Sequence, residues 1–187
     1  MVQTSVKSIT LESFLSLPET EPASEFIDGK ITQKPMPKGK HSRLQTKLAN
    51  VLSDFLESQG TGIALTELRC KFGGAAIVPD VVALQSERIP RDESGDIADI
   101  VEVAPDLTVE ILSPQQSSVK VIKKISHCLV HGTEVGWLID PAERTVLVFR
   151  PAGAVEILDG SENVLPMPTV LSEFELTVGA LFGWLQV

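Results

Sequence analysis

Leu107-Thr108-Val109-Glu110-Ile111-Leu112-Ser113-Pro114 is the stretch that decides how this chain folds. Its apolar, β-branched residues read as a buried strand, and Pro114 stops it. Ser117 is placed to cap a helix in which Ile122, Ile125, Cys128 and Leu129 recur at helical spacing until Gly132. Lys120, Lys124, His127 and His131 form the opposite face of that helix. Val135 to Ile139 then reads as a second strand. A strand, helix and strand in this order predict a right-handed parallel crossover from Leu107 to Ile139.

Upstream, Thr10 to Leu17 predicts a short helix capped by Thr10 and ended by Pro18. Glu25 to Thr32 carries Asp28-Gly29 between two apolar runs, a hairpin signal because both turn positions favour positive φ. From His41 to Glu57, Leu44, Leu48, Val51, Leu52, Phe55 and Leu56 make one apolar stripe on a long helix closed by Gly60 and Gly62. Three strands are expected at Ile63 to Phe72, Ile77 to Leu84 and Leu107 to Leu112, with a turn at Gly73-Gly74 and an acidic loop around Arg88 to Asp99. Downstream, Val135 to Ile139 and Thr145 to Phe149 flank an Asp140-Pro141 turn, Val155 to Leu158 is another strand, and Val178 to Leu185 a last helix. The expected fold is mixed α/β: a central mixed β-sheet flanked by helices, with an extra N-terminal helix and hairpin, in one domain over residues 1–187.

The chain has 187 residues, 43% of them hydrophobic, which suits one sizeable core, and no run of 18 apolar residues that could span a bilayer. Met1 to Lys7 lacks the apolar run of a secretion signal, and Cys70 and Cys128 do not make a disulfide framework, so a reducing, cytoplasmic setting is expected. The net charge of −9 argues against bulk coating of nucleic acid. The charge is uneven, though. Lys30, Lys34, Lys38, Lys40, Arg43 and Lys47 occur with no acid between Lys30 and Asn50, either as a local basic entrance or as a solvated helix face.

Two acids stand where a solvated residue has no ordinary reason to be: Asp80 in Val78-Pro79-Asp80-Val81-Val82, and Glu110 between Val109 and Ile111. A buried carboxylate needs a metal, a cation or hydrogen-bond donors. Alternation along the strand sends Thr108, Glu110 and Leu112 to one face. If Asp80 faces the same side from the next strand, Asp80, Glu110 and the backbone carbonyl of Ile111 make three oxygen ligands suited to Mg2+ or Mn2+, whose bound water would be a nucleophile. Lys124 is the candidate cation for charge developing on a phosphate, and Glu25 an outer ligand or a guide for water. Asp106 in Pro105-Asp106 competes with Asp80 but reads as a solvated strand start. His127 and His131 have zinc-ligand spacing without an obvious third ligand. Trp137 and Trp184 read as core or interface anchors.

The ordered set Glu25 to Gly29, His41, Pro79-Asp80-Val81-Val82, Pro105 to Pro114, Lys124, Gly132 and Trp137 to Pro141 resembles the Uma-two family of the restriction-endonuclease-like superfamily, PD-(D/E)XK nucleases. The resemblance covers nearly the whole chain. It implies a restriction-endonuclease-like core with Asp80 and Glu110 as metal ligands, Lys124 as the displaced motif lysine and Leu112 at that lysine's usual place. His41 and Glu25 match retained positions. Lys120 stands where an acid is common and Cys128 where an aromatic is common.

The expectation is a Mg2+- or Mn2+-dependent DNA endonuclease whose catalytic set is Asp80, Glu110, Lys124 and Glu25, with His41, Lys40 and Arg43 contacting substrate. So few cations imply weak DNA binding per chain and a homodimer. The alternative is a nuclease fold that has lost part of its site and acts as a binding or regulatory module. A third reading is a hydrolase of small phosphodiesters using the same acids.

Overall fold

A computed structural model describes residues 9–114 and 116–186; Met1 to Lys7, the segment read above for a secretion signal, lies outside them. Helix α1 (Leu11–Leu15) starts at Thr10, whose Oγ1 accepts the Ser13 N–H at 3.2 Å. The hairpin β1 (Ser24–Ile27) and β2 (Lys30–Gln33) turns on Asp28 and Gly29, at φ 51° and 72°. Helix α2 (Gly39–Gln59) buries Leu44, Leu48, Leu52 and Leu56 along one stripe, and the left-handed Gly60 ends it by closing its N–H on Glu57.

The two long strands expected after α2 are each divided. Ile63 to Phe72 becomes β3 (Gly62–Thr66) and β4 (Cys70–Phe72), and Ile77 to Leu84 becomes β5 (Ala75–Ile77) and β6 (Val81–Gln85). The breaks have physical causes. Glu67 turns the chain at φ 51°, and Pro79 has no N–H to give to a ladder. Because of these breaks the chain leaves one sheet and rejoins it. β4 and β5 belong to a four-stranded sheet ordered β2-β1-β5-β4, whereas β3 and β6 belong to the larger one.

The remaining elements are β7 (Leu107–Ile111), α3 (Ser118–Val130), β8 (Val135–Asp140), β9 (Thr145–Phe149), β10 (Glu156–Leu158) and α4 (Val178–Gly183). Ser117 holds the cap position of α3, but its side chain makes no capping hydrogen bond. The large sheet runs β10-β9-β8-β7-β6-β3 and is antiparallel except for β7 beside β8, joined through α3. It is therefore mixed, with helices on its faces. No helix among the described residues is long and apolar enough to cross a membrane.

Alternation along β7 distributes the core. Leu107, Val109 and Ile111 join Trp137, Ile139, the α2 leucines and Leu181 of α4 on one face. On the other, Val121 and Ile125 of α3 pack with Leu138 and Phe149. α3 lies so close to β8 that a Cβ on Gly136 would fall 2.4 Å from Ile125 Cγ2. Each fully buried leucine or isoleucine adds about 2 kcal/mol of hydrophobic stabilisation. Trp137 is buried, its Nε1 donating to the Pro166 carbonyl at 3.0 Å, while Trp184 is partly buried against the same core. Cys70 and Cys128 are buried free thiols.

Candidate functional site

The β6–β7 register pairs Val81 with Val109, so Asp80, one residue before β6, falls across from Glu110 on the face covered by α3. Both are buried, each with 2% of its surface exposed. Asp80 Oδ2 accepts the Ile111 N–H at 2.7 Å and lies 3.1 Å from His41 Nε2, and Asp80 Oδ1 accepts from Lys34 Nζ at 2.7 Å. Glu110 Oε2 pairs with Lys124 Nζ at 2.7 Å. Glu110 Oε1 is buried with no partner among the described residues.

Lys124 also reaches Glu25 Oε1 at 2.7 Å, and that same oxygen accepts the Val78 N–H at 2.7 Å. Lys34 Nζ also reaches Glu67 Oε2 at 2.8 Å. The Val78 carbonyl accepts from both ammonium groups, Lys34 at 2.9 Å and Lys124 at 3.4 Å. The break at Val78-Pro79 thus joins two clusters, Glu67–Lys34–Asp80–His41 and Glu110–Lys124–Glu25, into one site. Gln45, one turn beyond His41 on α2, donates to Glu67 Oε1 at 2.8 Å and to the Asp80 carbonyl at 3.0 Å.

These contacts set the protonation states. Burial alone would raise the Asp80 carboxyl, but the His41 hydrogen bond and the Lys34 and Lys124 charges hold it well below the usual carboxylate range. Burial would likewise discharge Lys124, yet Glu110, Glu25 and Asp80 outweigh it and keep its ammonium charged. At Glu110 burial wins. Lys124 offsets it only in part, and Asp80 and Glu25 add repulsion, so its pKa is raised.

Among the described residues, no group of three or more His, Cys, Asp or Glu side chains is arranged to hold a metal ion. The oxygen set at this site is two carboxylates and a main-chain carbonyl. Ile111 directs its N–H to Asp80, and in an extended strand the carbonyl of the same residue points to the same edge. Glu25, Glu67, Asp80 and Glu110 face the two ammonium groups of Lys34 and Lys124. An unpartnered buried Glu110 oxygen and a main-chain carbonyl are hard oxygen donors of the kind a divalent cation takes.

The structure brings together Asp80, Glu110, Lys124, Glu25, the Ile111 backbone and His41. Lys40 is exposed and lies at the mouth of an adjoining cleft. Arg43 is not brought there. Its Nε donates to the Trp184 carbonyl at 2.9 Å, because its position on α2 turns it toward the C-terminal helix rather than the acids. Asp106 is not solvated either. It is 2% exposed, paired with Arg88, and accepts the Gln85 N–H at 2.8 Å, a strut at the far end of β7 from Glu110. His127 stacks on Phe72, and His131 lies tilted against both, its ring centroid 4.3 Å from that of His127.

In sequence Lys34 is only one member of a basic run, and no local pattern marks Glu67 or Ser113. Gln45 carries a usable signal, its four-residue spacing from His41. Leu112, at the place of the motif lysine, packs among the α3 apolar residues, and Cys128 lies in the core with its Sγ 3.9 Å from Thr108 Oγ1. Lys120 is exposed at the rim of a cleft of about 470 Å3 that Lys34 and Lys124 also line. None of the three keeps Lys124 from Glu110.

The chain is similar to known proteins along most of its length. A family model, Uma2, described as "Putative restriction endonuclease", matches residues 11–179. A crystal structure described as "a putative nuclease belonging to DUF820" from Anabaena variabilis is 52% identical, with a TM-score of 0.92, over 95% of this chain and 99% of that one. A DrdV–DNA complex solved by electron cryomicroscopy is 17% identical over 76% of this chain and 11% of that one, with a TM-score of 0.38. No curated protein matches.

Proposed function

The chain belongs to the Uma2 family, and from that premise we propose that it is a divalent-metal-dependent endonuclease that hydrolyses DNA phosphodiesters, in one domain over residues 1–187. The observation that carries this reading is the pairing of Asp80 and Glu110 across adjacent strands, with one Glu110 oxygen buried and unpartnered among the described residues. The resemblance to the Anabaena variabilis protein, described as "a putative nuclease", supports it.

Asp80, Glu110 and the Ile111 carbonyl would hold Mg2+ or Mn2+. When bound, such a cation supplies Lewis-acid polarisation of a phosphoryl oxygen and lowers the pKa of an attacking water. The rest is the work of this chain's own side chains. His41 and the Ile111 N–H fix both the position and the ionised state of Asp80. Glu25 anchors Lys124 beside Glu110 and so acts as a positioning residue, while Lys124 supplies fixed positive charge against the phosphate. Lys34 lines both clefts that open on the acids, and takes the same electrostatic role from the opposite side. Lys40 guides the polynucleotide in. With few cations per chain, a homodimer in a cytoplasmic setting completes the reading.

Calorimetric titration with Mn2+ tests it on wild type and Asp80→Asn, alongside nicking of supercoiled DNA. Saturable binding and Mn2+-dependent nicking are expected in the wild type, and both should be lost in the variant. Absence of Mn2+ binding in the wild type would overturn the enzyme and leave the second reading, a non-catalytic binding or regulatory module. One observation favours that second reading: Lys34, His41 and the Ile111 N–H already occupy both oxygens of Asp80.

A further inference from the structure

Next to the acids, a cleft of about 420 Å3 opens between the start of α2 and the turn after β7. α2 is 21 residues long and begins in that cleft with Gly39, Lys40 and His41. Its first intrahelical bond runs from the Ser42 N–H to the Lys38 carbonyl at 2.9 Å. The N–H groups of Gly39, Lys40 and His41 therefore have no acceptor among the described residues. Lys38 gives no side-chain cap, and the first turn holds no acid. Helices with this much unsatisfied positive potential are usually capped by Ser, Thr, Asp or Asn.

A second, independent polar group borders the same cleft. Ser113 is 5% exposed, lines it, and keeps its Oγ without a partner among the described residues. Its backbone is fixed by Gln116, whose Oε1 accepts the Ser113 N–H at 3.0 Å and whose own N–H donates to the Ser113 carbonyl at 3.1 Å. A buried hydroxyl with nothing to bond costs about 1–3 kcal/mol unless a ligand satisfies it. Lys38 and Lys40 add positive charge at the mouth. The one carboxylate on the cleft, Asp140, spends its Oδ1 on the N–H groups of Ala142 and Glu143.

We propose that the amino end of α2 and Ser113 Oγ form a phosphate-binding site, which holds a phosphate of the substrate strand beside the one that is cut. Three N–H groups of one helix end, a hydroxyl and two ammonium groups are donors without acceptors among the described residues, the complement of a phosphate's oxygens. His41 joins this site to the acids: its backbone N–H belongs to the cleft and its ring to Asp80. Only the owner of the phosphate rests on the nuclease reading; the anion site itself does not.

Amide NMR of the metal-free protein, titrated with inorganic phosphate, tests the site directly. The Gly39, Lys40 and His41 amides are expected to shift saturably. A Cβ at Gly39 meets nothing within 4 Å, so Gly39→Glu fits and places a negative charge at the positive end of the helix. It is expected to raise the thermal midpoint while weakening phosphate binding about tenfold. Ser113→Ala should raise the midpoint of the phosphate-free protein, by relieving the unbonded hydroxyl, and weaken phosphate binding about fivefold. Oligothymidylate with and without a 5′-phosphate identifies the source: response to both assigns an internal phosphodiester, response to the phosphorylated strand alone a terminal phosphate. Silent amides, or unchanged affinity in Gly39→Glu, would overturn the proposal. Silent amides in a protein that still nicks DNA would sink this site and spare the nuclease; saturable shifts in a protein that never nicks would do the reverse.

Discussion

Glu110 holds one oxygen against Lys124 and leaves the other buried without a partner among the described residues. A carboxyl in that position is more easily protonated than in water, and the consequence for stability has a definite sign. Its folded pKa lies above the ordinary 4.5, so below that value both folded and unfolded forms are protonated and no stability is lost. As pH rises through the interval between 4.5 and the raised folded value, the unfolded chain releases the proton first, and wild-type stability falls by up to about 1.4 kcal/mol per pH unit. Glu110→Gln removes this dependence while Lys124 keeps Glu25. In urea unfolding the variant should match the wild type at about pH 4 and exceed it by about 1 kcal/mol or more at about pH 8. A constant difference across that range would disprove the linkage. Asp80 has the opposite sign: its lowered pKa makes its ionised form stabilising at every pH above the acid limit.

At the scale of elements, the site depends on how closely α3 lies on β8, since α3 carries Lys124 and the sheet carries Glu110. Gly136 permits that approach: a side chain there meets Ile125 Cγ2 at 2.4 Å. Gly136→Val should cost about 1–3 kcal/mol in urea unfolding through overpacking. Hydrogen exchange should quicken along α3 but not along α2, which packs on the other face. Exchange quickening equally in both helices would mean that α3 is not docked through this contact. Periodicity made these elements legible. The leucine stripe of α2, the Asp28-Gly29 turn and the strand, helix, strand run from Leu107 all lie where local spacing put them. The subdivision of two long strands did not, because Glu67 and Pro79 each interrupt a stretch that keeps a strand-like pattern on both sides. Composition there is the same whether one sheet or two receives the strand.

For the whole molecule, a net charge of −9 sets a limit on how DNA can be held. The ammonium groups of Lys34 and Lys124 are committed to carboxylates, and Arg43 reaches the Trp184 carbonyl on the side of α4. Lys38 and Lys40 remain at the cleft mouth. On the nuclease reading, log K for duplex binding by Asp80→Asn should therefore fall with log salt at a slope of only about −2 to −4, that of two to four phosphate contacts. A slope near about −8, measured by fluorescence anisotropy, would demand a basic surface well beyond the Lys38 and Lys40 edge of this cleft.

What the amino-acid order determined by itself is local and periodic: the strand at Glu110, the helix bearing Lys124, the alternation that sends Glu110 to one face, and the anomaly of two acids among β-branched residues. Spacing along the backbone dictates these, so they are visible before folding. Tertiary structure alone decided that Lys34 meets Asp80, that Glu25 and Glu110 share Lys124, that Asp106 is buried on Arg88, and that Arg43 turns away. Each of these is a pairing between residues far apart along the chain or set by the packing around them. Which charge neutralises which depends on where the sheets bring the backbone together, and that is fixed only when the chain breaks at Val78-Pro79 and passes from one sheet to the other.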